Sequence, residues 1–387
     1  MKKSLLKLAS VIGASALVLA GCAEAPNTTP GEPTAAVSPT DATSAGTTDS
    51  MAPAADFKAC MVSDAGGFDD KSFNETAYAG LTRAKEELKV ETGQIESNAE
   101  SDFAPNVQSM IDADCDIVVT VGFALAAATE AAAKQNPDVK FAIVDNNSFP
   151  VSEGSKELVP NAKGLIFNTA ESSFLGGYLA ASMSQTGKVG TFGGAKYPTV
   201  TIFMDGFAQG VAHFNEVKGK SVQVIGWDAA KQDGQFVPGN DPFGNIDGGK
   251  NTANTLIAQG ADIIFPVAGP AGLGGLQAAQ ASGGKVNAIW VDTDGCISAA
   301  EFCPSIISSV YKGMDIAVFD AIKAAMDGDF SPEPFVGTLE NGGTGLSEFH
   351  DFDGKVSAET KSELEKLKAD IIAGTIKITS EAQPAKS

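Results

Sequence analysis

Three features of this 387-residue sequence predict an α/β fold of two lobes, each a parallel sheet flanked by helices. Short Val/Ile/Phe runs bounded by polar or glycine turns recur along the chain. Helix-like stretches separate them, the alternation expected when helices cover parallel sheets. The alternation also occurs twice, the block from 57–62 through 140–144 having a counterpart from 189–192 through 287–291.

At the N-terminus, Met1-Lys2-Lys3 and Lys7 form a positive start, and Leu5 to Ala20 an apolar core too short and interrupted for an ordinary membrane span. The core closes on Leu19-Ala20-Gly21-Cys22, the pattern of a bacterial lipoprotein signal over 1–21 with Cys22 as the lipidated first residue of the mature chain. A plain secretory peptide with an accidental cysteine would leave the small residues before Cys22 unexplained. Pro, Thr, Ala and Ser dominate 22–56, which cannot bury enough surface to offset its ordering entropy and is expected to be a flexible tether. Roughly 330 residues remain, enough for two domains or one large one, with no further membrane span, so a soluble body tethered to the extracytoplasmic face of the cell membrane is expected. Removing 1–21 takes three lysines and no acids, moving the net charge from −21 to −24. Nucleic acid is therefore excluded as a partner, and an anionic membrane surface would repel the body.

Within the body, strands are expected at 57–62, 116–121, 140–144, 189–192, 221–225, 262–267 and 287–291, and helices at 76–88, 124–136, 174–185, 203–217, 249–259 and 274–282. Cys60 and Cys115 stand at the starts of two strands able to neighbour each other, so they form either a disulfide or two buried thiols. Cys296 and Cys303, with six residues between them, make a plausible local pair in an exported chain. No CxxC spacing occurs and only His213 and His350 are available, so a zinc or heme site is poorly supported and no cofactor is expected.

Ligands of open parallel sheets bind beyond the carboxyl ends of the strands. Those loops carry Asp64, Phe73 and Asn74, then Gly122-Phe123, then Asp145-Asn146-Asn147, and in the second half Trp227, Phe236, Gly269 and Asp292. Aromatic faces with carboxylates and amides suit a flat heterocycle bearing donors and a ring of hydroxyls, and few Lys or Arg are present to meet an anion. Each residue also has a plainer role: Phe73 and Phe236 as core anchors, and Asp64 or Asp69-Asp70 as helix-start acids. Asp69, Asp70 and Lys71 are left out of the site on that ground. Asp292 and Asp294 with Gly295 do not follow the spacing of an EF-hand. A nucleoside hydrolase or other glycosidase would need paired carboxylates or a metal-holding aspartate cluster at the strand ends, and no nucleophile elbow occurs. Gly269-Pro-Ala-Gly-Leu-Gly-Gly275 lacks the Gly-Lys-Ser/Thr of a phosphate loop.

The stretch Val62-Ser-Asp-Ala-Gly-Gly-Phe-Asp-Asp-Lys-Ser-Phe-Asn74, followed by Val119-Thr-Val-Gly-Phe123, Gly226-Trp227, Gln235-Phe236, Gly260-Ala-Asp-Ile-Ile-Phe265, Val267-Ala-Gly269 and Val291-Asp-Thr-Asp294, resembles the basic membrane protein (BMP) family of lipoproteins. The resemblance runs from Phe57 onward. It implies a periplasmic-binding-protein-like fold of type I, no enzymatic activity, and a substrate-binding role beside the permease and ATPase subunits of an ABC importer, with nucleosides, purines preferred, as ligands; a sugar or other small polar ligand is the alternative. By the same resemblance Phe73 and Phe236 would sandwich a base, Asn74 and Asp145 would bond its edge, and Asp64 would stand at the base end, with Gly122 and Phe123 beside them. Gly269, Asp292 and Lys312 would meet the ribose. The loop 237–247 is longer than the family pattern, so Phe243 is a competitor for the place of Phe236. Lobe one is expected to hold 57–168 and 292–328, and lobe two 169–291 and 329–387.

Overall fold

The computed structural model describes residues 56–384. The signal segment, Cys22 and nearly all of the expected tether lie outside the described residues. Among the described residues no helix is long and apolar enough to cross a membrane.

Lobe one begins β1 (Lys58–Ser63), α1 (Phe73–Glu87), β2 (Glu91–Ile95), α2 (Glu100–Asp112), β3 (Ile117–Val121), α3 (Ala126–Gln135), β4 (Lys140–Val144) and β5 (Ala162–Phe167). The chain then crosses to lobe two for α4 (Thr169–Met183), β6 (Lys188–Gly193), α5 (Pro198–Lys218), β7 (Gln223–Ile225), the small hairpin β8 (Trp227–Asp228) and β9 (Asp233–Gly234), α6 (Ile246–Ala258), β10 (Ile263–Val267), α7 (Gly272–Ala281), β11 (Asn287–Asp292), α8 (Gly295–Ser298) and β12 (Ile306–Lys312). It returns to lobe one for α9 (Met314–Asp327) and β13 (Phe335–Gly337), and ends in lobe two with β14 (Thr344–Leu346) and α10 (Ala358–Ile372).

The first sheet runs β13-β5-β4-β3-β1-β2, parallel throughout, and the second β14-β12-β11-β10-β6-β7, parallel except for its antiparallel edge β14. Helices cover both faces, which is why the central strands read as unbroken apolar runs: all five residues of β3 and of β10 are buried. The strands expected from such runs are all present. Unanticipated in the two sheets were β2, a half-exposed edge strand without an apolar run, β5, which carries Lys163 and Gly164, and β12, β13 and β14 beyond the last expected strand.

The lobe boundary differs from the expected one. Residues 306–312 lie in the second sheet, because Ile306–Lys312 is buried on both faces and needs β11 and β14 as neighbours. Only beyond Gly313 does the chain enter lobe one, where Met314, Ala317, Val318 and Ile322 pack in one core with Ala77, Leu81 and Ala84 of α1. Residues 335–337, expected in lobe two, form an unanticipated strand that extends the first sheet beside β5. Both cysteine pairs are disulfide-bonded, Cys60 to Cys115 across the neighbouring strands β1 and β3, and Cys296 to Cys303 around α8.

Candidate functional site

The turn after β1 is built around two carboxylates. Asp64 N donates to Val121 O (3.0 Å), setting the Asp64 side chain against Gly122. A Cβ at Gly122 would stand 2.1 Å from Asp64 Oδ2, and its φ is 116°, so glycine is required there on both counts. Asp70 Oδ1 accepts from Ser72 N and Glu75 N, each at 3.0 Å, and its Oδ2 from Asn74 N at 2.9 Å, which satisfies the first amides of α1. The capping role expected of Asp70 is present, but its exclusion from the site does not hold. Asp70 is buried, lines the cavity, and accepts from Asn74 Nδ2 at 3.3 Å. The same Nδ2 donates to Asp64 Oδ1 at 3.0 Å, while Asn74 Oδ1 is buried with no hydrogen-bond partner among the described residues.

Burial pushes the Asp64 carboxyl up to about 8, opposed by the Asn74 hydrogen bond and reinforced by Asp70 and Asp145. Burial likewise lifts Asp70 to about 6, against the three backbone amides that hold it. Asp64 therefore carries its proton near neutrality and can donate as well as accept.

At the other end, β4 and β11 occupy matching places in the two lobes. The residues at their carboxyl ends, Asp145 and Asp292, both adopt left-handed backbone, with φ of 67° and 68°. Both reach Lys312 at the end of β12: Nζ lies 2.9 and 2.6 Å from the two oxygens of Asp145 and 3.7 Å from Asp292 Oδ1. Burial raises both carboxyls above their ordinary value, with Lys312 pulling the other way. The ammonium is also framed by rings, 5.0 Å from the centroid of Phe73 and 5.1 Å from that of Phe203. The sequence has one arginine, Arg83, and it stacks on Phe319 outside the site.

These two polar ends border an interlobe cavity whose space, counted together with the solvent open to it, is about 590 Å³. Of the residues expected at the site, Asp64, Phe73, Asn74, Gly122, Phe123, Asp145, Gly269, Asp292 and Lys312 line it together. Phe236 does not. It bridges to Gly193 at the carboxyl end of β6 and sets its ring edge-on to Trp227, 6.2 Å between centroids. The long loop then folds back and delivers Phe243, whose carbonyl accepts from Ala271 N and whose ring lies so close to Gly194 that a Cβ there would stand 2.4 Å away. Phe243 meets Tyr197 at 5.9 Å and Tyr197 meets Phe123 at 5.5 Å, an aromatic wall drawn from both lobes. Tyr197 and Phe203 were not anticipated. Tyr197 stands in a strand-end loop with no patterned neighbour, and Phe203 reads as core in the periodicity of α5.

Asp294, Cys296 and His350 gather closely enough to suggest a metal, but the Cys296 sulfur is committed to Cys303, which leaves a hydrogen-bonded Asp294–His350 pair at 2.7 Å.

Two parallel-sheet lobes that close a polar and aromatic cavity at the carboxyl ends of their strands define a solute-binding protein of the periplasmic-binding type. The family model for PnrA-like ABC transporter substrate-binding proteins (Bmp) matches residues 57–235 and 239–382, and the chain belongs to that family. It is thus the substrate-binding component of an ABC transporter and not an enzyme. The match is interrupted at 236–238, where the long loop leaves Phe236. Basic membrane protein A of Borreliella burgdorferi is 33% identical over 254 residues, covering 65% of this chain and 68% of that one. The ABC transporter nucleoside-binding protein BmpA of Lactococcus lactis is 31% identical over 98% of this chain and 100% of its own length. Among solved structures, an ABC transporter solute-binding protein from Aeropyrum pernix K1 superimposes with a TM-score of 0.72 at 25% identity, covering 86% of this chain and 94% of that one.

Proposed function

We propose that the chain captures nucleosides, purines preferred, between its lobes and delivers them to the permease and ATPase subunits of an importer, while a lipid on Cys22 holds it to the extracytoplasmic face of the membrane. The observation that carries the ligand reading is the Asp64–Asn74 pair. A carboxyl that keeps its proton stands beside a buried, unpartnered amide oxygen, so a donor and an acceptor are offered together, as the edge of a purine requires. Phe73, Phe123, Tyr197 and Phe243 supply ring faces for a flat base. At the far end, ribose hydroxyls can donate to Asp145 and Asp292 and accept from Lys312. With Asp64 neutral, the cavity still sets the carboxyls of Asp70, Asp145 and Asp292 against the single ammonium of Lys312, a charge balance that opposes phosphate and so favours nucleosides over nucleotides. The nucleoside-binding name of the Lactococcus relative supports the same choice.

Native mass spectrometry of the purified chain, followed by titration with adenosine, guanosine, inosine, uridine and cytidine, tests this reading. Saturable binding of at least one and no release of free base is expected. Failure of all five to bind would refute the nucleoside assignment.

A further inference from the structure

Beside the cavity, one carbonyl of lobe one gathers two hydrogen bonds from lobe two. Lys71 O accepts from Ser298 Oγ at 2.9 Å and from Trp290 Nε1 at 3.3 Å, and the next residue, Ser72, donates from Oγ to Asp292 Oδ2 at 3.0 Å. Lys71 and Ser72 belong to lobe one and their three partners to lobe two. Lys71, Trp290 and Ser298 are not among the cavity walls, so the two bonds to the Lys71 carbonyl do not need a ligand in order to form, whereas Asp292, the partner of Ser72, does line the cavity. Lys71 has a φ of 61°, left-handed backbone that a residue with a side chain occupies at a cost. Its N–H turns back to Glu75 Oε2 at 3.0 Å while its carbonyl reaches across to lobe two.

The donor on the far side is held with equal care. Ser298 closes α8, a four-residue helix too short to persist on its own. Asp294 Oδ1 caps that helix by accepting from Cys296 N at 3.0 Å, and the Cys296–Cys303 disulfide ties it to the segment leading into β12. One and two residues beyond Ser72, Phe73 and Asn74 enter the cavity. A single stretch of chain therefore carries both the ligand contacts and the bonds that join the lobes.

We infer that the Lys71 carbonyl is the latch of the closed form, that Ser298 is a positioning residue for ligand binding without touching the ligand, and that the Cys296–Cys303 disulfide keeps Ser298 on target. The inference rests on the proposed function only in taking the interlobe cavity as the place where ligand binds. Ser298→Ala in the full chain removes one interlobe hydrogen bond, which should lower the closing equilibrium about three- to tenfold. Because apparent affinity scales with the closed fraction, that loss must surface in one of two places. Either adenosine dissociates faster by about that factor at unchanged association rate, or the ligand-free chain shows a larger radius of gyration in solution scattering. Ser298→Thr should restore the parent behaviour, and Cys296→Ala with Cys303→Ala should reproduce the Ser298→Ala change. Unaltered dissociation together with unaltered scattering in a folded Ser298→Ala chain overturns the latch. The scattering arm uses no ligand, so a shift there in a chain that binds none of the five nucleosides would uphold the latch and refute the nucleoside reading instead.

Discussion

Replacing Asp64 by asparagine isolates the proton that the folded chain holds at one end of its cavity. Burial lifts the Asp64 carboxyl to about 8, whereas the unfolded chain titrates it near its ordinary value of about 3.9. Between those values the folded state keeps a proton that the unfolded state has released. Folding stability must therefore fall as pH rises through that window, and level off above the folded value. One proton is worth about 1.4 kcal/mol per pH unit, so the contribution of Asp64 should drop by about 2 kcal/mol between about pH 6 and about pH 8, the decline easing as the folded group itself begins to ionise. Asparagine retains an oxygen to accept from Asn74 Nδ2, now at 3.0 Å, and does not titrate. Urea unfolding of both proteins across this range should show the parent losing about 2 kcal/mol relative to Asp64→Asn. The slopes contributed by Asp70, Asp145 and Asp292 are common to both proteins and largely cancel in the difference. Parallel pH profiles would refute the claim that Asp64 is held neutral.

Phe73→Ala and Asn74→Ala should each weaken nucleoside binding by about 1–3 kcal/mol in isothermal titration with circular dichroism unchanged, one by losing a stacked ring and the other by stranding groups the closed cavity has taken out of water. Unchanged affinity in a folded Phe73→Ala chain would make that ring a plain core anchor. Phe243→Ala should cost a similar amount, whereas Phe236→Ala should leave affinity within about twofold and lower the melting temperature, because its ring packs on Trp227; the reverse result would restore Phe236 to the ligand. Cys22→Ala should move the protein out of the membrane fraction without altering affinity, and a variant that still sediments with membranes would place the anchor elsewhere.

What the sequence made legible follows its physics closely. The central strands announce themselves because burial on both faces demands unbroken runs such as Ile117–Val121, and the loops beyond them are where a ligand must be met. Nine of the ten expected site residues stand at such ends and do line the cavity. The tenth, Phe236, failed because adjacency along a chain does not say which way a loop refolds, and seven residues later Phe243 takes the exposed face. Asp70 was set aside because its capping role was a sufficient explanation; in the structure the same carboxylate caps α1 and also lines the cavity. Phe203 was hidden by the opposite effect, since a residue on the buried side of a helix gives the same pattern whether it meets a core or a cavity. The lobe boundary was illegible because Ile306–Lys312 has two possible sheets to join, and its apolar run does not say that its neighbours are β11 and β14.

The three crossings between lobes among the described residues, at 168, 313 and 338–343, bear on how the molecule can be assembled. Lobe one cannot cover α1 until α9 has been made, and its sheet is unfinished before 337. Lobe two waits longer still, since Leu364, Leu367 and Ile371 of α10 complete its core. A fragment ending at residue 168 would expose the apolar face of α1, so neither lobe can be produced as one contiguous piece. During synthesis lobe one is completed only after residue 337 and lobe two only after 371: both cores close late, in the last quarter of the chain, and a growing chain cut short at any earlier point has a bare flank for a chaperone or a protease to find.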